Sequence, residues 1–214
     1  MLDRKLEERI RRAKDLGISC VKTYSNGSLL TAERAKSLLE SNLDELFLSF
    51  DGASREEYEK SRVPLLFDQV LENIHTRVRL RNEYHARGGN RMRIKVSCCS
   101  TEDKTGTMKL LQKEVDEFSF TKLHNWGTED YTANRHRIRK PCQRPWKTVT
   151  ILSNGDVVPC CLDYDGKIRF GNLHETTLQA IYHGEVLRNL QRLHKIGRHD
   201  EISICENCTK SFLV

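Results

Sequence analysis

The sequence lacks the features that would place it in a membrane, outside the cell or on nucleic acid. No run approaches the roughly 18 consecutive apolar residues that a membrane span needs. The chain opens on a charged amphipathic segment instead of the apolar core of a signal peptide. Its 36 Lys and Arg against 30 Asp and Glu give a net charge of only +6, too mild to indicate a nucleic-acid partner. We therefore expect a cytoplasmic protein that binds no nucleic acid and has no membrane span.

Internal repeats and low-complexity tracts are also missing, so 214 residues predict one substantial domain with a small appendage. Cysteine, by contrast, is plentiful, with eight in the chain. In a cytoplasm that keeps thiols reduced, clustered cysteines bind metal more often than they form disulfides. The cysteines are therefore the first candidates for a functional site.

Helix and strand patterns alternate along the first part of the chain. Apolar residues at helical spacing predict a helix up to Gly17, helices capped by Thr31 and Ser54, and further helices over 67–80 and 107–115. Runs of β-branched and apolar residues predict strands over 18–24, 43–50, 92–96 and 118–123. This alternation predicts an α/β fold of parallel strands joined by right-handed crossovers.

The alternation stops in a polar linker, and we predict two domains, 1–135 and 136–214. A turn signal at 153–156 predicts a β-hairpin whose open end holds Cys142 and Cys160 together. Helical spacing from Thr177 to Lys195 predicts a helix that carries Cys205 and Cys208 back to the same place. Four thiolates then meet at one metal site.

The residues alone leave the metal open, because zinc and iron-sulfur clusters both take four thiolates. Zinc sites are usually built from two short cysteine knuckles, and only Cys205 and Cys208 form one. Cys160 and Cys161 are adjacent in an extended segment, so only one of them should face the site. The residues alone leave open which of the two that is.

Several segments resemble radical SAM enzymes that carry an auxiliary cluster domain of the SPASM type, in particular its shorter one-cluster form, twitch. The resembling C-terminal segments are PCQRPW at 141–146, SNGDVVPCC at 153–161, GN at 171–172, TLQAIY at 177–182 and CENC at 205–208. Upstream, TYSNGSLLT, LDELFLSFDG, FDQVLENI and VDEFSFTKLHNWG resemble later strands and helices of a radical SAM barrel. The resemblance implies the C-terminal part of a partial (β/α)6-type barrel, followed by a small domain of hairpin and helix.

The resemblance also implies cofactors and site residues. Cys142, Cys160, Cys205 and Cys208 would hold a [4Fe-4S] cluster, at separations of 18, 45 and 3 positions that suit the one-cluster form. Spacing in that form favours Cys160 as the ligand, and Cys161 would then pack as a small apolar residue. Ser49 and Arg62 would approach the ribose and carboxylate of S-adenosylmethionine, with Asn26 at the same rim. The alternative is that Asp51 and Gly52 merely form a turn and that Arg62 is solvated.

Further candidates lie in both predicted domains, and the resemblance identifies no catalytic residue. His124, Asn125 and Trp126 could line the mouth of a substrate cavity, although a buried histidine bonded to backbone is as good an interpretation. Cys98 or Cys99 could relay a radical, although cysteines are more often simply buried. Arg144 and Lys147 could offset the negative charge of a cluster or lie on a solvated face.

Two motifs of radical SAM enzymes are absent: the C-x3-C-x2-C loop and the GGEP segment. We therefore expect an N-terminally truncated chain that does not cleave S-adenosylmethionine by itself. That cofactor and a second [4Fe-4S] cluster would belong to the presumed full-length protein only.

The expected function is electron transfer by the auxiliary cluster during oxidation or modification of a peptide, aminosugar or carbohydrate-derived substrate. A flavodoxin or ferredoxin would be the electron partner. The alternative is a non-catalytic degenerate relative or a zinc-stabilised interaction module.

Overall fold

The computed structural model describes residues 3–99, 102–111, 114–121 and 140–208. The chain divides into two compact units, Met1–Leu123 and His124–Val214. The domain boundary expected at 135/136 lies outside the described residues and stays a prediction.

The first unit is built around a four-stranded sheet in which every neighbouring pair of strands is parallel and the order is β1-β2-β3-β4. Its described elements are α1 (Leu6–Asp15), β1 (Lys22–Ser25), α2 (Ala32–Glu40), β2 (Glu45–Ser49), α3 (Arg55–Ser61), α4 (Phe67–Ala86), β3 (Arg93–Cys98), α5 (Lys104–Leu111) and β4 (Glu117–Phe120). The predicted α/β alternation is therefore confirmed.

Local sequence signals account for three of the described helix ends in the first unit. The hydroxyl of Thr31 accepts a hydrogen bond from the Arg34 amide at 3.3 Å, and that of Ser54 accepts one from the Glu57 amide at 3.2 Å, so both predicted N-caps are confirmed. Gly17, with φ +81°, ends the first helical segment. Helix α4 runs about a turn and a half beyond its predicted end. The prediction stopped short because the extension is polar and carries no apolar pattern.

The two faces of the sheet have different surroundings. One face is buried under the helices in a core to which the strands contribute Leu46, Leu48, Ile94, Val96 and Cys98. Residues of the opposite face alternate with these, as the half-buried Glu45, Phe47 and Ser49 of β2 do. The sheet thus presents a second, more polar face at which ligands can bind.

The second unit has short elements: α6 (Arg144–Lys147), β5 (Thr150–Ile151), β6 (Asp156–Val158), β7 (Gly171–Asn172), α7 (Leu178–Tyr182) and α8 (Glu185–Lys195), followed by a 3-10 turn at His199–Glu201. Strands β5 and β6 form the predicted antiparallel hairpin, and β7 adds a strand that the sequence did not predict. The single helix predicted from Thr177 to Lys195 is wrong. The extended backbone of Gly184 separates α7 from α8, and a Cβ at that position would lie 3.0 Å from the Ile181 carbonyl oxygen.

None of the helices in the described ranges is long and apolar enough to cross a membrane.

Candidate functional site

The cysteines of the second unit lie at the ends of its short elements. Cys142 precedes α6, Cys160 follows β6, and Cys205 and Cys208 lie in the turns after the 3-10 segment. The hairpin turns at Gly155, whose φ of +88° suits glycine. Near the C-terminus, the amide of Cys205 donates to the Ile202 carbonyl at 2.7 Å.

Three of the four predicted ligands lie in one neighbourhood. Cys160 and Cys205 both pack against one apolar cluster, which consists of Leu190, Leu193, Ile202 and Ile204. Cys208 is close enough to Cys160 to affect the pKa of its thiol. Soft thiolate sulfurs are the donors that an iron-sulfur cluster takes, so the chemistry of this donor set fits such a group.

The cysteines are not already arranged as a finished metal cage. In the part of the chain that the structure describes, no group of three His, Cys, Asp or Glu side chains is positioned to hold a metal ion. The four-cysteine ligand set, and Cys142 within it, therefore stays a prediction.

Cys160 and its neighbour Cys161 have different surroundings. Burial raises the pKa of the Cys160 thiol; the Leu162 amide and the Arg144 charge lower it, and Cys161 and Cys208 raise it. Cys161 is exposed, and Arg144 donates from Nη1 to its sulfur at 3.1 Å. The expectation that Cys161 packs as a small apolar residue is therefore wrong, because it is exposed and bonded to a cation.

A buried histidine pair beside Cys205 was missed by the sequence analysis. His194 on α8 places Nε2 3.6 Å from the Cys205 sulfur, and its ring stacks on that of His199. The signal that could have revealed His194 is its place on the apolar stripe of α8, four residues after Leu190 and seven after Leu187.

In the first unit, the end of β2 carries a buried carboxylate that is fully engaged. Asp51 is 1% exposed, and its Oδ2 accepts from the Nε of Arg62 at 2.7 Å and also from Nη2. Its Oδ1 accepts from the Cys99 amide. The alternative of a merely solvated Arg62 is therefore wrong, because Arg62 forms an ion pair with Asp51.

Ser49 lies in a row of hydroxyl-bearing residues that crosses the sheet. The strand register pairs Ser49 with Ser97 and Ser97 with Ser119, near the carboxyl ends of parallel strands, where ligands bind in such folds. Asn26 follows β1 directly, and its side-chain oxygen accepts from the Ser28 amide at 3.2 Å. Ser97 and Ser119 were missed, although strand alternation with the buried Val96 could have revealed Ser97.

The remaining candidates divide between core and rim. Cys98 is 1% exposed and donates to the Phe50 carbonyl at 2.9 Å, so it belongs to the core. Cys99 is half-buried, and its sulfur accepts from the hydroxyl of Thr121 at 3.3 Å. The predicted cavity residues His124, Asn125 and Trp126 lie outside the described residues.

Comparison with known proteins identifies the cysteine-bearing unit. Residues 142–209 match the SPASM family, an iron-sulfur cluster-binding domain. A curated relative, the S-adenosyl-L-methionine-dependent 2-deoxy-scyllo-inosamine dehydrogenase of Niallia circulans, is 24% identical over 94 residues. That match covers 44% of this chain and 38% of the dehydrogenase, so it spans well under half the length of the relative.

Solved structures share the fold over nearly the whole chain. BtrN in complex with AdoMet and 2-DOIA matches with a TM-score of 0.58 at 16% identity, over 97% of this chain and 67% of BtrN. The anSMEcpe protein with bound AdoMet and a Kp18Cys peptide matches with a TM-score of 0.58 at 16% identity, over 95% of this chain and 70% of anSMEcpe. SuiB of Streptococcus suis bound to precursor peptide SuiA matches with a TM-score of 0.51 at 13% identity, over 87% of this chain and 52% of SuiB.

These likenesses extend over both units, and at such identities they show the fold. The matches to the AdoMet-bound proteins include the parallel sheet of the first unit, and the cysteine-bearing unit has a sequence match of its own. The chain is therefore similar to radical SAM enzymes: residues 142–209 match the SPASM iron-sulfur cluster-binding domain, and the α/β fold matches AdoMet-bound structures over nearly the whole chain.

Proposed function

We propose that Cys142, Cys160, Cys205 and Cys208 hold one [4Fe-4S] cluster, and that the chain serves in electron transfer while a substrate is oxidised or modified. When bound, such a cluster takes up or releases single electrons. The observation that carries the proposal is the grouping of Cys160 and Cys205 on one apolar cluster, within a segment that matches an iron-sulfur-binding family.

The surroundings of the cysteines support electron transfer over direct binding of substrate. Four cysteine ligands would leave no iron open to a substrate atom. The apolar cluster of Leu190, Leu193, Ile202 and Ile204 packs against two of these cysteines. Burial raises the pKa of the Cys160 thiol, and the positive charge of Arg144, which bonds to Cys161, lowers it.

We further propose that the first unit contacts S-adenosylmethionine in a full-length protein. Asp51 accepts hydrogen bonds from Arg62 and from the Cys99 amide. The Arg62 guanidinium is therefore oriented before the carboxylate of S-adenosylmethionine binds. Ser49, together with Ser97 beside it, presents hydroxyls that can bond a ribose. Asn26 lies just after the neighbouring strand and contributes to the same rim.

Relatives indicate the classes of substrate to try. The Niallia circulans enzyme is named for 2-deoxy-scyllo-inosamine, and the SuiB structure holds a precursor peptide. We propose a peptide, an aminosugar or a carbohydrate-derived molecule as the substrate of this chain, with a flavodoxin or ferredoxin as the electron partner.

Anaerobic reconstitution with iron and sulfide tests the cluster. We expect about four irons and about four sulfides per chain, with broad visible absorbance. The Cys205→Ala variant should lose most of this iron, whereas Cys20→Ala, which changes an exposed cysteine of the first unit, should keep it. Stoichiometric zinc without visible absorbance would contradict the proposal and support a zinc-stabilised module instead.

A further inference from the structure

One buried side chain beside the cluster site has no role in the function proposed so far. His194 is 1% exposed, and its Nε2 lies 3.6 Å from the Cys205 sulfur, within the range of a hydrogen bond to sulfur. The two residues are 11 positions apart, and the short turns after α8 bring them together. A polar ring in this position loses contact with water, which is unfavourable unless it has a partner.

The position of this imidazole is fixed by rings on two sides. His199, itself 3% exposed, stacks on it with ring centroids 5.3 Å apart and planes at 10°. Trp146 of α6 meets it edge-on, with centroids 6.4 Å apart and planes at 74°. Helix α6 is tied to α8 in turn, because Gln191 donates to the Pro145 carbonyl at 2.9 Å. The ring is therefore held in place before any cofactor binds.

We propose that His194 donates a hydrogen bond from Nε2–H to the sulfur of Cys205, and thereby makes the bound cluster easier to reduce. This inference rests on the proposed function. A thiolate that ligates iron has no proton to give, so the imidazole must be the donor. Reduction adds negative charge to the cluster and its sulfurs. A hydrogen bond donated to a sulfur therefore stabilises the more negative, reduced state more than the oxidised state.

Redox titration of the reconstituted full chain tests the inference. His194→Leu removes the donor and fills most of the volume, whereas His194→Gln keeps an N–H at about the same reach. We expect the Leu variant to disfavour the reduced cluster about tenfold, which is about 59 mV toward negative potential for one electron. The Gln variant should stay near the native potential. The matched control is His183→Leu, at an exposed histidine of the same unit, and it should leave the potential unchanged.

A second measurement does not depend on the folding of the Leu variant. In the native chain labelled with ¹⁵N-histidine, pulsed electron paramagnetic resonance of the reduced cluster should detect a histidine nitrogen coupling. His194→Gln should abolish that coupling, and His183→Leu should keep it.

Native protein that holds its iron but has no histidine coupling overturns the inference while leaving the proposed function intact. A His194→Leu variant that holds its iron and keeps the native reduction potential also overturns the inference. If the native chain takes up no iron, the proposed function fails and this inference fails with it.

Discussion

Cys160 and Cys161 are adjacent in the chain, yet the fold treats them differently. Cys160 is half-buried against the apolar cluster that also contacts Cys205, whereas Cys161 is exposed and bonded to Arg144. The predicted extended segment is wrong here, because the chain turns after β6 and the Asp163 amide donates to the Cys160 carbonyl at 3.1 Å. Cys160 is therefore the better placed of the two to ligate the same cluster as Cys205.

Alanine variants of these two cysteines separate their roles. Cys160→Ala should reduce the iron bound after reconstitution to a small fraction of the native amount, because a proposed thiolate ligand is lost. Cys161→Ala should keep the native iron content. The measurement is iron per folded chain, with folding checked by circular dichroism. The reverse pattern would move the ligand to Cys161.

Residues with local sequence signals were predictable from the sequence. Thr31 and Ser54 cap helices through bonds to amides three residues away, and a spacing rule captures that. Asp51 and His194 were not assigned their roles, because their partners depend on tertiary structure. The Cys99 amide, which bonds Asp51, is 48 residues further along the chain, and only the pairing of β2 with β3 brings the two together.

At the scale of elements, the turn from β2 into α3 positions the Asp51–Arg62 pair. Gly52 has φ +132°, and a Cβ added there would lie 2.7 Å from the backbone nitrogen of Tyr58. Helix α3 therefore passes directly over this glycine. The close approach brings Arg62, just beyond the end of α3, within reach of Asp51.

Gly52→Ala should destabilise the chain by about 3 kcal/mol, because it combines an unfavourable φ with a backbone clash. Gly88→Ala provides the control: φ is +86°, but a Cβ there meets nothing within 4 Å. That variant should lose only about 1 kcal/mol. Urea unfolding followed by circular dichroism measures both values, and equal losses would rule out the clash as a cause.

A buried ion pair joins α4 to the start of β4. Arg81, with its side chain 4% exposed, donates to Asp116 at 2.6 Å. Burial would raise the pKa of Asp116, but the Ile94 amide and the charges of Arg81 and Arg91 outweigh it, so the pKa lies below its usual value. A carboxyl with a lowered folded-state pKa stabilises the fold above the unfolded-state pKa, and this contribution is lost as pH falls through the folded-state pKa.

Asp116→Asn should therefore lower the free energy of unfolding at neutral pH by about 3 kcal/mol, since it leaves Arg81 buried without a countercharge. The difference from the native chain should shrink as the pH falls below about 4. Asp68→Asn, which breaks an exposed pair with Arg55, should change stability by less than about 1 kcal/mol. A deficit that persists unchanged in acid would assign the effect to lost packing instead.

The elements themselves were predicted to different degrees in the two units. The alternation of helices and strands in the first unit was predicted because its periodic patterns are long. Each pattern can be recognised from neighbouring residues alone. In the second unit the elements are two to eleven residues long. A two-residue strand such as Gly171–Asn172 has no periodicity, and its pairing with β6 depends on the tertiary fold.

At the scale of the whole molecule, each unit has its own hydrophobic core. Among the residues that the structure describes, the first core gathers 18 buried residues, whereas the cluster of the second unit that contacts the cysteines has four. A small apolar cluster stabilises less, because the hydrophobic contribution scales with the area removed from water. A bound metal often supplies the difference in small domains.

Removal of the cluster should therefore loosen the second unit selectively. When a chelator strips iron from reconstituted protein, we expect amide hydrogen exchange to rise in the hairpin and in α8, since four cross-links between distant segments are lost. Exchange in α4 and in β2 of the first unit should stay at its loaded level, because their core contains no proposed iron ligand. Mass spectrometry of peptic fragments resolves the two units within one sample. Uniform loosening of both units would instead mean that the whole chain folds around the metal.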